Sequence, residues 1–178
     1  IVEGLKEEYF FYTHDANGIF TYVSPSIGNV LGYDSAETLG HYSDFFTDNL
    51  LNKDAERRTQ LCLKGEVQPS YEVEVYHKDG SVRILKVQET PVFDIHGSIV
   101  AVEGIAHDVT QQKQDEKKYR ILFDNAPDTI FTLKGSDYRI KDFNKKALET
   151  FKSDAGEFLG RTPYELSPTT QYDGQNSK

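Results

Sequence analysis

The chain has 178 residues, 37% hydrophobic and 12% aromatic, with 20 Lys and Arg against 29 Asp and Glu and a net charge of −9. That is enough chain for one domain with a good core, or one domain plus part of another, and the acidic balance argues against a nucleic-acid partner, which needs clustered Lys and Arg. No apolar run reaches the length of a membrane span and no charged-then-apolar start marks a secretion signal, so no direct membrane contact by this segment is expected.

The lone Cys62 cannot pair internally, which points to a reducing, cytoplasmic compartment. The chain starts at Ile1 and has no Met, as expected of a segment excised from a longer protein whose membrane parts, if any, lie elsewhere.

In chain order, "YFFYTHDANGIFTYVS" predicts two short strands around a turn, because aromatic and β-branched residues fill both arms and Asp15 to Gly18 supplies turn chemistry. Ser24-Pro25 predicts an N-cap with Pro at the first helical position. Ile27, Val30 and Leu31 share one face of that short helix, and Gly32 ends it. Asp34 with Glu37 forms an acidic capping box for a further turn. "NKDAERRTQLCLKGE" predicts the longest helix of the unit. Tyr71, Val73 and Val75 then alternate with Glu72 and Glu74, and hairpin signals stand at Lys78-Asp79-Gly80 and at Asp94 to Gly97. Two strands, several short helices and three antiparallel strands predict an α+β fold, with short helices on one face of a five-stranded sheet.

The sequence also repeats itself. At an ungapped offset of 120, Ile1 meets Ile121, Phe11 meets Phe131, Asp34 meets Asp154, Glu37 meets Glu157, and Leu39-Gly40 meets Leu159-Gly160. The apolar pattern follows: Val23 with Phe143, Ile27 with Ala147, Leu31 with Phe151 and Phe46 with Leu166. The division expected is a first domain over 1–110, a linker helix over 111–125, and the N-terminal half of a second unit over 126–178. An incomplete second unit would be mobile or completed by a neighbouring chain.

"HDANGIFTYVSPSIGNVLGYDSAETLG", "YHKDGSVRILKVQETPVFDIHGSIVAVEGIAHDVTQQK" and "YRILFDNAPDTIFTL" together resemble tandem PAS (sensory box) domains, as found in bacterial and archaeal sensor histidine kinases and diguanylate cyclases. Ser24 departs from the Asn that the family often has there, whereas the second unit has Asn144. The closing Asp-Ile-Thr element of the family corresponds to Asp108-Val109-Thr110, where Asp108 and Thr110 can each cap a helix. The resemblance implies a sensory and relay segment that binds a small ligand or homodimerises. It would pass the change through the helix to an effector in the same parent chain, a histidine kinase in the first instance. A short dimer contact near Tyr119, Leu122 and Phe123 is one reading of that helix; a solvated linker is the other.

Cofactor signatures of the family are missing. A flavin photosensor of the light-oxygen-voltage type would carry a reactive Cys on the short helix after Gly40, where this chain reads His41-Tyr42-Ser43-Asp44. An oxygen-sensing haem domain would carry an axial His between Lys53 and Gly65, and there is none. The cofactor, if any, is unknown. His14, His41, His77, His96 and His107 show no metal-site spacing and are expected at the surface. No nucleophile–base pair or phosphate loop points to catalysis in this segment. A ligand cavity would be lined by Phe20, Tyr22, Leu31, Phe45 and Phe46 from the N-terminal half. From the rest of the domain it would take Leu61, Val73, Val75, Val102 and Gly104, with Arg58 and Tyr42 as polar anchors; the same side chains could simply fill the core.

Overall fold

The structure is a computed structural model that describes residues 7–166. Ile1, and the part of the second unit after Leu166, lie outside the described residues. The chain divides into two compact units, residues 1–113 and 114–178.

In the first unit, β1 (Tyr9–His14), β2 (Phe20–Val23), β3 (Tyr71–Tyr76), β4 (Val82–Phe93) and β5 (Ile99–Asp108) form one antiparallel sheet in the order β2-β1-β5-β4-β3. Period-two alternation sets its inner face: Phe10, Tyr12 and His14 on β1, Val73 and Val75 on β3, Leu85 and Val87 on β4, Ala106 on β5. Against this face pack α1 (Ile27–Leu31), two 3-10 turns (Ser35–Thr38 and Tyr42–Phe45) and α2 (Leu51–Cys62). Asn52 fastens the start of α2 to β3: its amide donates to the carbonyls of Thr47 (2.9 Å) and Glu74 (2.8 Å), and its oxygen accepts from the Glu74 N–H (2.9 Å).

Two hairpins use the same device. Asp15 accepts the N–H groups of Asn17 and Ile19, and Asp94 those of His96 and Ser98. Gly18 and Gly97, three residues on in each case, take the left-handed conformation that closes the loop.

Local expectations needed correction in three places. α1 begins at Ile27, not at Pro25, because the Ser24 hydroxyl is committed elsewhere: it accepts the Phe11 N–H at 2.9 Å and ties β1 to the turn after β2. The alternation of Glu72 and Glu74 with Tyr71, Val73 and Val75 predicts an exposed acidic sheet face, and that face is not open. Glu72 pairs with Lys113 (2.7 Å), and Glu74 accepts the Thr47 hydroxyl (2.7 Å).

The third correction is in the repeat. In the second unit β6 (Phe131–Lys134) and β7 (Arg139–Phe143) form a hairpin, followed by α4 (Lys145–Phe151), α5 (Ala155–Phe158) and α6 (Pro163–Leu166); α3 (Thr110–Asp124) precedes them. From β7 onward the offset of 120 holds, down to Asp154 capping α5 as Asp34 caps its turn. In the first strand it is 119. Tyr12 faces Val23 and His14 faces Phe20, while Phe131 faces Phe143 and Leu133 faces Ile140, with a bulge at the same place in both hairpins. Phe11 therefore corresponds to Ile130, and the second hairpin carries one more residue in its turn. Asn144 repeats the role of Ser24, its side-chain oxygen accepting the Ile130 N–H at 3.0 Å. Ile140, Ala147 and Phe158 form the buried core of this unit.

Candidate functional site

Between the inner face of the first sheet and its helices lies a cavity of about 50 Å³. Its walls are apolar or aromatic except at Thr59 and at Glu89, which projects from the middle of β4 with 4% of its surface exposed. An unpaired buried carboxylate is costly, and three elements converge to satisfy this one. Tyr12 on β1 pairs across the ladder with Gly104 on β5, which pairs in turn with Glu89 on β4, so the three lie in one row. Gly104 is the gap that makes the row work. A Cβ there would stand 2.2 Å from the Tyr12 ring, so only glycine lets the ring lie across β5 and its hydroxyl donate to Glu89 Oε1 at 3.0 Å. From α2 the Thr59 hydroxyl donates to Glu89 Oε2 at 2.8 Å, and the Tyr71 hydroxyl stands 3.2 Å from Thr59.

His14, fully buried, completes the group. Its Nδ1 lies 2.7 Å from the Asp15 carbonyl, which can only accept, so that nitrogen carries a proton. Nε2 faces Glu89 Oε1 at 3.4 Å but is not aligned for a hydrogen bond. Burial pushes the Glu89 carboxyl up, yet the His14 ring and the hydroxyls of Thr59 and Tyr71 outweigh burial and hold its pKa below the usual carboxylate value. Burial, and then the Glu89 charge, push the Tyr12 and Tyr71 hydroxyls well above the ordinary phenol range. The site is thus a carboxylate ringed by neutral hydroxyl donors.

Phe20, Leu31, Phe45, Phe46, Val73, Val75 and Tyr42 line the cavity. Four of the expected wall residues are placed elsewhere. Tyr22 is 54% exposed, because the bulge opposite Thr13 and His14 breaks the alternation of β2. Leu61 lies off the buried stripe of α2, which is Asn52, Ala55, Thr59 and Cys62. Val102 is fully buried but sits between His14 and Pro91, beyond the cavity. Gly104 lies under the Tyr12 ring. Arg58 is no anchor either: it pairs with Asp54 at 2.6 Å and covers the Tyr71 ring.

The expectation that all five histidines are superficial fails at His14, and Glu89 was overlooked. The signal was present: Leu85, Val87, Glu89 and Pro91 alternate in step, as do Phe10, Tyr12 and His14, so both polar residues fall in the inward register. Cys62 is buried, and burial followed by the Glu89 charge pushes its thiol up to about 11. Among the described residues no group of His, Cys, Asp or Glu is placed to hold a metal ion, and no helix is long and apolar enough to cross a membrane.

At the exit of the domain, Asp108 Oδ1 accepts the Thr110 N–H at 2.8 Å and also its hydroxyl. Thr110 Oγ1 accepts the Ile84 N–H (2.8 Å), and the N–H of buried Val109 donates to the Ile84 carbonyl (2.9 Å). The first turn of α3 is thereby pinned to β4 beside Leu85, a wall residue of the cavity. Further along, Tyr119 and Leu122 are exposed and Phe123 is buried.

The profile of the PAS domain family matches residues 7–111, and a second PAS domain profile matches residues 117–175. No curated protein matches the sequence. Among solved structures, the PAS domain of a Colwellia psychrerythraea protein is 15% identical with a TM-score of 0.52, covering 58% of this chain and 87% of that one. The N-terminal domain of a Marinobacter aquaeolei diguanylate cyclase with a PAS/PAC sensor is also 15% identical, TM-score 0.53, over 60% of this chain and 99% of that one. An RNA-binding light-oxygen-voltage receptor is 17% identical, TM-score 0.55, over 68% of this chain and 36% of its own length. At these identities the likeness is one of fold; together with the profile match over most of the chain, it follows that this protein belongs to the PAS domain family.

Proposed function

We propose that this chain is a tandem sensory and relay segment of a cytoplasmic signalling protein, PAS domains being sensory, non-catalytic modules. The first unit (1–110) holds a small molecule in the cavity at Glu89. The helix over 111–125 carries the resulting change past the second unit, over 126–178, to an effector in the same parent chain. A histidine kinase is the preferred effector, with a diguanylate cyclase as the alternative.

The observation that carries this reading is the joint at Ile84. The strand that presents Leu85, Val87 and Glu89 to the cavity also holds the first turn of α3 through Val109 and Thr110. A ligand that favours one placement of β4 therefore favours one placement of the helix start, which is the differential interaction a population shift requires. The test is native mass spectrometry of gently purified protein, followed by denaturation and identification of what is released. A bound small molecule supports the reading, and an empty protein that binds nothing from a metabolite mixture refutes it.

A second reading, a homodimerising assembly module, is favoured by the exposure of Tyr119, Ile121 and Leu122 on α3. A sedimenting dimer that Leu122→Glu splits supports it, and a monomer at high micromolar concentration retires it.

A further inference from the structure

The cavity also says what kind of molecule it suits. Among the described residues that line it, Glu89 is the one acidic side chain and no Lys or Arg is present, so a carboxylate or phosphate ligand would meet an anion on that wall. The hydroxyls of Tyr12 and Thr59 reach the carboxylate, one on each oxygen, which leaves acceptor positions on a group with about four. His14 faces Glu89 Oε1 from 3.4 Å without a hydrogen bond and does not line the cavity, so Glu89 is the charged group that a ligand there reaches. The rest of the wall is largely aromatic: Tyr12, Phe20, Tyr42, Phe45, Phe46 and Tyr71 line the same cavity. π-faces attract cations most strongly where water is excluded.

The geometry points to a small ammonium cation as the ligand, its N–H groups on Glu89 and its alkyl part among the aromatic rings. This rests on the sensory reading above and gives that reading a ligand class. Size follows from volume. A cavity of roughly 150 Å³ holds one benzene, so about 50 Å³ suits a molecule of two or three heavy atoms. Methylammonium is of that size; longer amines would need the half-exposed turn Tyr42–Phe45 to yield.

The test is an NMR titration of the full chain with methylammonium chloride, reading the tyrosine ring signals. Methanol serves as the neutral probe of equal size, and sodium formate as the anionic one. The expected result is saturable shifts at Tyr12 and Tyr71 with methylammonium, at least about tenfold tighter than with methanol or formate. Glu89→Gln should weaken methylammonium binding by about tenfold or more. The comparison of the three probes on the unmodified protein stands even if that variant fails to fold. Preference for methanol or formate overturns the ammonium class and leaves the sensory reading standing. So does indifference to all three in a protein that releases some other molecule on denaturation. Indifference in a protein that is also empty removes both.

Discussion

Gly104→Ala is the substitution that tests the geometry of the site most directly. Gly104 does not adopt the left-handed conformation, so alanine brings no backbone strain and the effect is one of contact alone. The added methyl would stand 2.2 Å from Tyr12 Cζ and 2.5 Å from its hydroxyl oxygen. To reach ordinary contact at 3.4 Å, the ring must retreat by about 1.2 Å. The hydrogen bond to Glu89 now spans 3.0 Å, so a retreat of that size takes the hydroxyl out of range. Overpacking costs roughly 1–3 kcal/mol, and a lost hydrogen bond to a charged group roughly 1.5–3 kcal/mol. Restricting the unfolded chain returns about 0.4–1 kcal/mol. The net expectation is a loss of about 1.5–5.5 kcal/mol in the first unit. The chain has 11 tyrosines and no tryptophan, so urea unfolding can be followed by tyrosine fluorescence together with circular dichroism. In a Tyr12→Phe background the hydrogen bond is already gone, and the cost of Gly104→Ala should shrink by about 1.5–3 kcal/mol. A loss under about 0.5 kcal/mol, or strict additivity of the two substitutions, would refute the row Tyr12–Gly104–Glu89 as described.

Three further outcomes are expected. Asn52→Ala removes three hydrogen bonds and leaves the half-buried Thr47 carbonyl and Glu74 N–H without that partner, and should cost about 1–3 kcal/mol in the same urea assay; a cost near zero would mean that Asn52 does not hold α2 to the sheet. Gly28→Ala, exposed inside α1 with only ordinary contact at 3.5 Å to its added methyl, should stabilise by about 0.5–1 kcal/mol, and a loss would count against its helical setting. The third concerns acid. The folded pKa of Glu89 lies below its unfolded value of about 4.3, so its stabilising contribution is complete above that value and drains away as the pH falls through it toward the folded pKa. Wild type should therefore lose its advantage over Glu89→Gln progressively as the pH falls below about 4.3; a difference that does not change with pH would show that Glu89 is not an anion in the folded protein.

The scaffold was legible because its cues are local. The Asp-x-x-Gly loops at Asp15 and Asp94, the alternation of β3 and the capping box at Asp34 and Glu37 each depend on neighbours in sequence, and each appears as read. The site was less legible because its chemistry is tertiary. His14 and Glu89 stand 75 positions apart in the chain and meet only once β5 has entered the sheet between β1 and β4. Taken singly, a histidine beside a turn and a glutamate in a strand both read as solvent-facing. Only their place in the inward register distinguishes them, and charge alone suggested the opposite face. Tyr22 failed for the reverse reason: alternation was extended through a bulge that no nearby residue announces.

The hairpin register also bears on how far the two halves of this chain have drifted apart. The places of Tyr12 and His14 in the first copy are taken by Phe131 and Leu133 in the second, at matching positions beside matching bulges. Two polar-to-apolar differences on one strand leave the second hairpin, among the described residues, without the hydroxyl and imidazole that meet Glu89 in the first. Transplanting Phe and Leu together into positions 12 and 14 would leave Glu89 to the hydroxyls of Thr59 and Tyr71 alone. The two units thus share a hairpin register but not the polar side chains that the first unit sets on it.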